Sequence, residues 1–214
     1  MERTLYRRWG KRTLDLALSG LGLVLAGPLL LVIAVLVKIT SSGPALYRHQ
    51  RVGLEGQLFD VLKFRTMVRD ADKVGPAVTS ATDSRITPFG RWLRCLKLDE
   101  LPQLWNVLMG DMSLVGPRPE VPHYVESYSP AQRRVLSVRP GITDVASIAY
   151  RHEEQLLTGL ADLDRYYREV ILPDKLNLNL AYLDRMSLLY DLSLLLRTTT
   201  AIFTPHSRVL HENH

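Results

Sequence analysis

The sequence predicts an α+β, mainly helical fold: an N-terminal re-entrant membrane helix-break-helix, a small β-hairpin, and interfacial amphipathic helices around a cytosolic domain. Three observations predict it. An uncharged apolar run extends from Leu16 to Val37, two β-prone runs flank a Gly-bounded pair between Ala45 and Arg65, and helix start and stop signals recur from Thr87 onward. At 214 residues, with 46% hydrophobic and 23% charged residues, the chain has room for one ordinary core and is too apolar to be disordered. The expected division is a membrane anchor over residues 1–40, a cytosolic domain over 41–205 and a tail over 206–214.

The apolar run is bracketed by Asp15 and Lys38, and its 22 residues would reach about 33 Å as a helix, enough for a hydrocarbon core of roughly 30 Å. It lacks a small-residue cleavage site, so a removed signal peptide fits poorly. Gly27-Pro28 falls near its middle, and an interior proline removes a backbone hydrogen bond and clashes with the preceding turn, which predicts a sharp bend. Basic residues stand on both sides, Arg3, Arg7, Arg8, Lys11 and Arg12 before and Lys38, Arg48 and Arg51 after. The positive-inside rule would keep both ends in the cytoplasm, which favours a re-entrant hairpin over a bitopic span.

Beyond the anchor, Ala45–Val52 and Leu58–Arg65 read as a hairpin, with Lys63 and Arg65 on one strand face where two cations could grip a phosphate or simply be solvated. Thr87-Pro88 is a helix cap and first position; Pro102 opens a further helix that Gly110 stops. Asp99 and Glu100 then lie at the positive end of that helix, a place for a capping carboxylate or for a site that attracts phosphate. Ser113–Val115 reads as a short strand leading into Pro117-Arg118-Pro119, where two prolines fix the backbone around an arginine suited to bidentate binding of phosphate or carboxylate. Ser129 and Gln132 have capping-box spacing, Arg139–Thr143 reads as a turn, Asp162–Val170 as a polar helix, and Pro173–Phe203 as a long or broken helix. Its Leu188, Leu189, Leu192, Leu195 and Leu196 belong either to the core or to a membrane surface.

A net charge of +5 suggests an anionic partner. No phosphate loop, dinucleotide fingerprint or cysteine cluster is present, and the single Cys95 excludes an intramolecular disulfide.

The segments Lys63–Met67, Leu98–Asn106, Gly110–Pro119 and Arg139–Thr143, in this order, closely resemble the bacterial sugar transferases, small monotopic phosphoglycosyl transferases that act on polyprenol phosphate. The resemblance covers nearly the whole chain. It implies transfer of sugar-1-phosphate from a UDP-sugar to undecaprenyl phosphate with release of UMP, at the bacterial inner membrane and on its cytoplasmic face. It further implies a catalytic Asp99-Glu100 dyad, with Asp99 the nucleophile and Glu100 its neighbour in metal or proton handling, and Mg²⁺ as cofactor near both. Lys63, Arg65 and Arg94 would neutralise phosphate charge, and Arg118 between Pro117 and Pro119 would meet the nucleotide. The family commonly has Ser-Pro at the membrane break where this chain has Gly27-Pro28, and Gly-Trp-Ala-Gln after the Arg139–Thr143 motif where this chain has Asp144–Ser147. The sugar and the oligomeric state, including a homodimer, are left open. Nucleic acid is not an expected partner, because basic and acidic residues interleave and no nucleic-acid-binding motif occurs. Two other classes compete: a membrane-tethered basic module, and a phosphodiesterase that hydrolyses nucleotide sugars without lipid.

Overall fold

A computed structural model describes residues 5–71, 74–75 and 78–203. The predicted tail at 206–214 lies outside these residues. Among them, helices dominate and the sheet content is two small pairs of strands.

A wide helical turn, Tyr6–Gly10, leads into α1, Lys11–Thr40. The break expected at Gly27-Pro28 is not a break in the helix, which runs through both residues. Proline's fixed φ is itself helical, so what Pro28 forfeits is one hydrogen bond to the carbonyl a turn earlier, not the helical path. The buried residues of α1 fall at its two ends, Asp15 and Ser19 near the start, Ile33 and Val37 near the finish. Asp15 accepts hydrogen bonds from the Leu114 amide at 2.9 Å and from Ser113 Oγ at 3.1 Å, while Arg12 donates to the Val107 and Leu108 carbonyls at 2.6 and 3.0 Å. Ile33 and Val37 join Phe64 and Leu93 in a small apolar cluster. Between these anchor points Val24, Leu25, Leu29, Leu31 and Val32 are exposed, and a side chain added at Gly27 would touch nothing.

The predicted hairpin forms from β1, Leu46–Val52, and β2, Leu58–Phe64, antiparallel with Leu46 opposite Phe64 and Val52 opposite Leu58. Gly56 takes φ +80° in the connecting turn, a conformation glycine adopts without strain. Next come α2, Pro88–Cys95, and α3, Gln103–Met109. Thr87 caps α2 by accepting from the Gly90 amide at 3.0 Å. Gly90 must stay glycine, because a Cβ there would lie 2.0 Å from the Thr66 carbonyl oxygen. Gly110 ends α3 at φ +99°, as the sequence predicts. Buried Asn106 ties α3 to the free edge of β2, accepting from the Leu62 amide at 3.0 Å and donating to the Asp60 carbonyl at 2.8 Å. That double bond fixes α3 against the hairpin.

The second pair of strands departs from the sequence reading. The Arg139–Thr143 segment is not only a turn: β4, Gly141–Thr143, pairs in parallel with β3, Ser113–Val115. Gly116 and Gly141 permit it, since a Cβ on Gly141 would sit 2.1 Å from the Gly116 nitrogen. The short helices α4 (Pro122–Glu126), α5 (Val145–Ala149) and α6 (Glu153–Leu156) follow their strands, and α7 (Leu163–Tyr166) runs through a wide turn at Tyr167–Ile171 into α8 (Leu172–Arg185). The Ser129 and Gln132 capping box forms, with reciprocal bonds of 2.8 and 3.3 Å, but it opens a 3₁₀ stretch at Gln132–Ser137. The helix expected to begin near Pro173 is broken at Met186-Ser187, and α9 occupies Leu188–Phe203. Leu188, Leu189, Leu192 and Leu196 are exposed on α9, whereas Leu194 is its core residue.

Two buried clusters hold the domain. One gathers Tyr124, Tyr128, Leu157, Tyr167, Ile171 and Leu176 among the later helices. The other packs Val61, Val107, Met112, Val115, Tyr182 and Leu194 beneath the hairpin and α3. Burial of this kind contributes about 1.5–3 kcal/mol per large side chain.

Candidate active site

The site assembles where α2 ends, α3 begins, β2 runs past, and the chain turns after β3. Lys97, in the left-handed conformation at φ 56°, reverses the chain after α2 and starts a single 3₁₀ turn, Leu98–Glu100. This places Asp99 and Glu100 one turn before Gln103. Asp99 is buried, with 6% of its surface exposed, and its Oδ1 has no hydrogen-bond partner.

Glu100 is the opposite case. Its carboxylate receives Lys63 Nζ at 3.0 Å and both terminal nitrogens of Arg118, one of them at 3.3 Å to Oε2. A bidentate guanidinium on one carboxylate is a strong, orientation-fixing pair. The backbone that aims Arg118 is itself pinned: its amide donates to Asp144 Oδ2 at 3.0 Å, and Asp144 also caps α5 and accepts from Asn179 at 2.8 Å. Pro117 accepts from the Gly141 amide at 3.0 Å and Pro119 from Arg51 Nη1 at 3.2 Å through their carbonyls, so both prolines lie at the site as backbone that holds Arg118.

The two adjacent carboxyls are driven apart electrostatically. Burial, and then the charge of Glu100, pushes the Asp99 carboxyl above the usual aspartate range, against the pull of Lys63, Lys97 and Arg94. For Glu100 burial works upward too, but Arg118 and Lys63 outweigh it and hold the group well below the usual glutamate range. Opposed environments for paired titratable groups are characteristic of sites where one group reacts and the other organises charge. Burial lowers the Lys63 ammonium, with Glu100 restoring part of its basicity.

Arg94 reaches the site from the last turn of α2. One terminal nitrogen pairs with Glu154 at 3.1 Å, and the other, Nη1, is buried without a partner. Arg65 is not brought there. It follows the last residue of β2, and its guanidinium binds Ser41 Oγ at 3.1 Å, the Ser41 carbonyl at 2.7 Å and the Pro44 carbonyl, fastening the end of α1 to the hairpin. The alternation that would have placed Arg65 beside Lys63 stops with the strand at Phe64.

Both Glu100 oxygens carry ion pairs, which leaves that carboxylate fewer open acceptor sites for a metal ion than Asp99 has. Among the described residues no three His, Cys, Asp or Glu side chains cluster as a metal site. The unpartnered Asp99 Oδ1 does suit a magnesium ion, which commonly takes one or two carboxylates and completes its shell with water and substrate phosphates.

Sequence reasoning missed two neighbours. Glu120, immediately after Pro119, accepts from Tyr167 Oη at 2.5 Å and faces Arg51 at 3.4 Å. The second, Gln103, is 2% exposed with its amide nitrogen unpartnered. Its place just after Pro102, at the start of the helix that follows the carboxyl pair, was the available signal.

Residues 6–205 match the family model described as bacterial sugar transferase. Over 199 residues, 91% of this chain and 70% of the relative, the sequence is 41% identical to a UDP-glucose:undecaprenyl-phosphate glucose-1-phosphate transferase of Caulobacter vibrioides. It is 36% identical over 207 residues, 90% of this chain and 84% of the relative, to the exopolysaccharide production protein ExoY of Sinorhizobium fredii. An undecaprenyl-phosphate galactose phosphotransferase of Salmonella typhimurium is 41% identical over 162 residues, which are 68% of this chain and 34% of that longer protein.

Proposed function

The chain belongs to the bacterial sugar transferase family and is a phosphoglycosyl transferase, and from that premise we propose that it moves sugar-1-phosphate from a UDP-sugar to undecaprenyl phosphate through a covalent intermediate on Asp99. One observation carries the assignment of roles: of two adjacent buried carboxyls, Glu100 is consumed by ion pairs while Asp99 keeps an oxygen free.

An oxygen of ionised Asp99 attacks the phosphorus that bears the sugar. A new P–O bond forms, the bridging P–O bond to the nucleotide breaks, and UMP departs with that electron pair. The sugar phosphate is then held as a mixed anhydride with Asp99. A phosphate oxygen of the lipid attacks the same phosphorus, the aspartyl P–O bond breaks, and the carboxylate is regenerated. Neither step consumes or releases a proton, so no general base is required. Glu100 instead holds Lys63 and Arg118 in place as cations, and these with Arg94 face the charge on the phosphate oxygens. Magnesium, which would be held by the diphosphate of the donor and by the Asp99 carboxyl oxygen that does not attack, would supply Lewis-acid stabilisation of that charge.

The same reading makes the protein monotopic at the cytoplasmic face of the inner membrane. Supporting it, both ends of α1 are fastened to one domain, Arg12 and Asp15 at the start and Ile33, Val37 and Ser41 at the finish. A helix crossing the bilayer would carry these ends to opposite sides. With Cys95 replaced by serine, cysteines at Thr13 and Ser42 should both label from the cytoplasmic side only; labelling from opposite sides refutes the arrangement. The relatives' donors include UDP-glucose, and one relative serves exopolysaccharide production, so initiation of a surface glycan such as exopolysaccharide, capsule, O-antigen or a glycoprotein glycan is the corresponding role here.

The deciding experiment is UMP release by purified protein with Mg²⁺ and a panel of UDP-sugars, with and without undecaprenyl phosphate. Release that needs the lipid and is lost in Asp99→Asn supports the transferase. Full turnover without lipid would mean a hydrolase.

A further inference from the structure

Three buried polar atoms near the start of α3 lack partners, and they are not of one kind. Asp99 Oδ1 is an acceptor; Arg94 Nη1 and Gln103 Nε2 are donors. Buried groups of this sort are nearly always satisfied, and leaving one bare costs free energy, so each needs an explanation. The donors do not bond Asp99, and packing alone would be served better at position 103 by an apolar side chain of the same size.

We infer that Gln103 binds the phosphoryl group under transfer, donating from Nε2 to one of its non-bridging oxygens. The inference rests on Asp99 being the nucleophile, and it adds a contact that the sequence motifs and ion pairs do not assign. Asp99 lies in the 3₁₀ turn and Gln103 four residues on, at the first residue of α3; both are almost fully buried, and Leu101 and Pro102 between them have right-handed helical backbone angles. A phosphoryl group attacked by Asp99 must come within bonding distance of Asp99, which brings its oxygens to the neighbouring turn. An amide suits this position chemically. A lysine or arginine one turn from Asp99 would ion-pair with the carboxylate and blunt it as a nucleophile, as Glu100 is already engaged by Lys63 and Arg118. A neutral donor binds the phosphoryl oxygen and leaves the attacking oxygen free.

The test compares wild type with Gln103→Met and Gln103→Glu, as full-length protein in detergent with Mg²⁺. Gln103→Met removes the donor at nearly constant volume and also removes an unsatisfied buried amide. The expected result is a melting temperature equal to or above wild type, a lipid-dependent UMP release about ten- to a hundred-fold lower with most of the loss in kcat, and a diminished stabilisation by inorganic phosphate. Gln103→Glu gives the second reading. Its carboxylate cannot donate but its protonated acid can, so its activity relative to wild type should rise as pH falls from 8 to 6. Wild-type turnover in Gln103→Met overturns the inference and leaves an ordered water as the partner of Nε2. So does a fall in melting temperature that parallels the loss of activity while the phosphate effect persists, because that is a packing role. Asp99→Asn run alongside separates the two readings: if it still transfers, the nucleophile is wrong, whereas a dead Asp99→Asn with an intact Gln103→Met removes Gln103 alone.

Discussion

The foot of α1 and the surroundings of Asp99 are both rich in charge, yet they differ in how that charge is used. At the foot, a cleft of about 440 Å³ is lined by Arg7, Lys11, Arg12, Asp15, Arg134 and Arg139. Every one of these cations is committed to the protein: Arg7 to the Leu183 carbonyl, Arg12 to the end of α3, Arg139 to the Gly110 carbonyl, Lys11 to Asp191 and Arg134 to Asp184. Around Asp99, by contrast, three buried polar atoms of the site are bare. Size and charge single out one region, and unsatisfied hydrogen-bonding groups single out the other. A saturated cluster holds the fold together; an unsaturated one is kept ready for something else.

Substitutions at the two regions should separate along the same line. The largest effect expected is on chemistry: Asp99→Asn should lower lipid-dependent UMP release by at least about 10⁴-fold, as loss of a covalent nucleophile does. The same substitution should leave the melting temperature at pH 7.5 unchanged or raise it. The Asp99 carboxyl is pushed upward by burial and by Glu100, so the folded state holds its proton to higher pH than the unfolded chain does. Stability therefore declines as pH rises from the ordinary aspartate value through the raised one, and the neutral amide escapes that loss. A marked drop in melting temperature would show Asp99 to be structural instead. Because catalysis needs the ionised form, wild-type activity should fall on the acid side through that same raised value, which a pH profile of kcat would reveal.

Asp191→Ala should do the reverse. Asp191 is 1% exposed and accepts from Tyr6 Oη at 2.6 Å, Tyr182 Oη at 2.8 Å and Lys11 Nζ at 2.5 Å. Its removal strands a partly buried ammonium and two phenols, and unfolding should be easier by about 3–5 kcal/mol in a denaturant titration. Activity per folded molecule should change little. Arg65→Met is expected to be milder, about 2 kcal/mol for the hydrogen bonds to Ser41 and Pro44, and to leave the KM for donor unchanged, since Arg65 does not reach the site. A raised donor KM in that variant would place Arg65 with the phosphate ligands after all. Arg134→Ala removes an exposed pair with Asp184 and should fall within about 0.5 kcal/mol of wild type.

The parts of this structure that local chemistry determines were legible in the sequence. The Thr87 cap, the Gly110 stop, the capping box at Ser129 and Gln132, and the hairpin each depend on a few adjacent residues, and each forms. Features that depend on distant residues were not. The parallel pairing of β3 and β4 needs two glycines in near contact across 25 positions of sequence, and nothing in either segment announces the other. Arg65 reads as a phosphate ligand until the end of β2 and the Ser41 carbonyl are in view. Proline at 28 has two outcomes, a break or a helix with one bond missing, and local rules do not choose between them. At the site, Asp99, Glu100 and Arg118 were legible as residue types suited to phosphate chemistry, and the resemblance implied Asp99 as nucleophile, but the engagement of Glu100 by both Lys63 and Arg118 was not, because it depends on how β2 and the Pro117–Pro119 turn meet.

The fastening of α1 has a consequence for how the protein is made. Tyr6 and Asp191 are 185 residues apart, and Asp15 meets Ser113 across 98. At a synthesis rate of roughly 5–20 residues per second, α1 is complete about 8 to 30 seconds before Asp191 exists. During that interval its leucines and valines have no domain to lie on and Asp15 has no amide to bind. The contacts that fasten the two ends of α1 therefore form only after the rest of the chain has been made, so the most apolar element of the protein is the first synthesised and the last to be fixed in place.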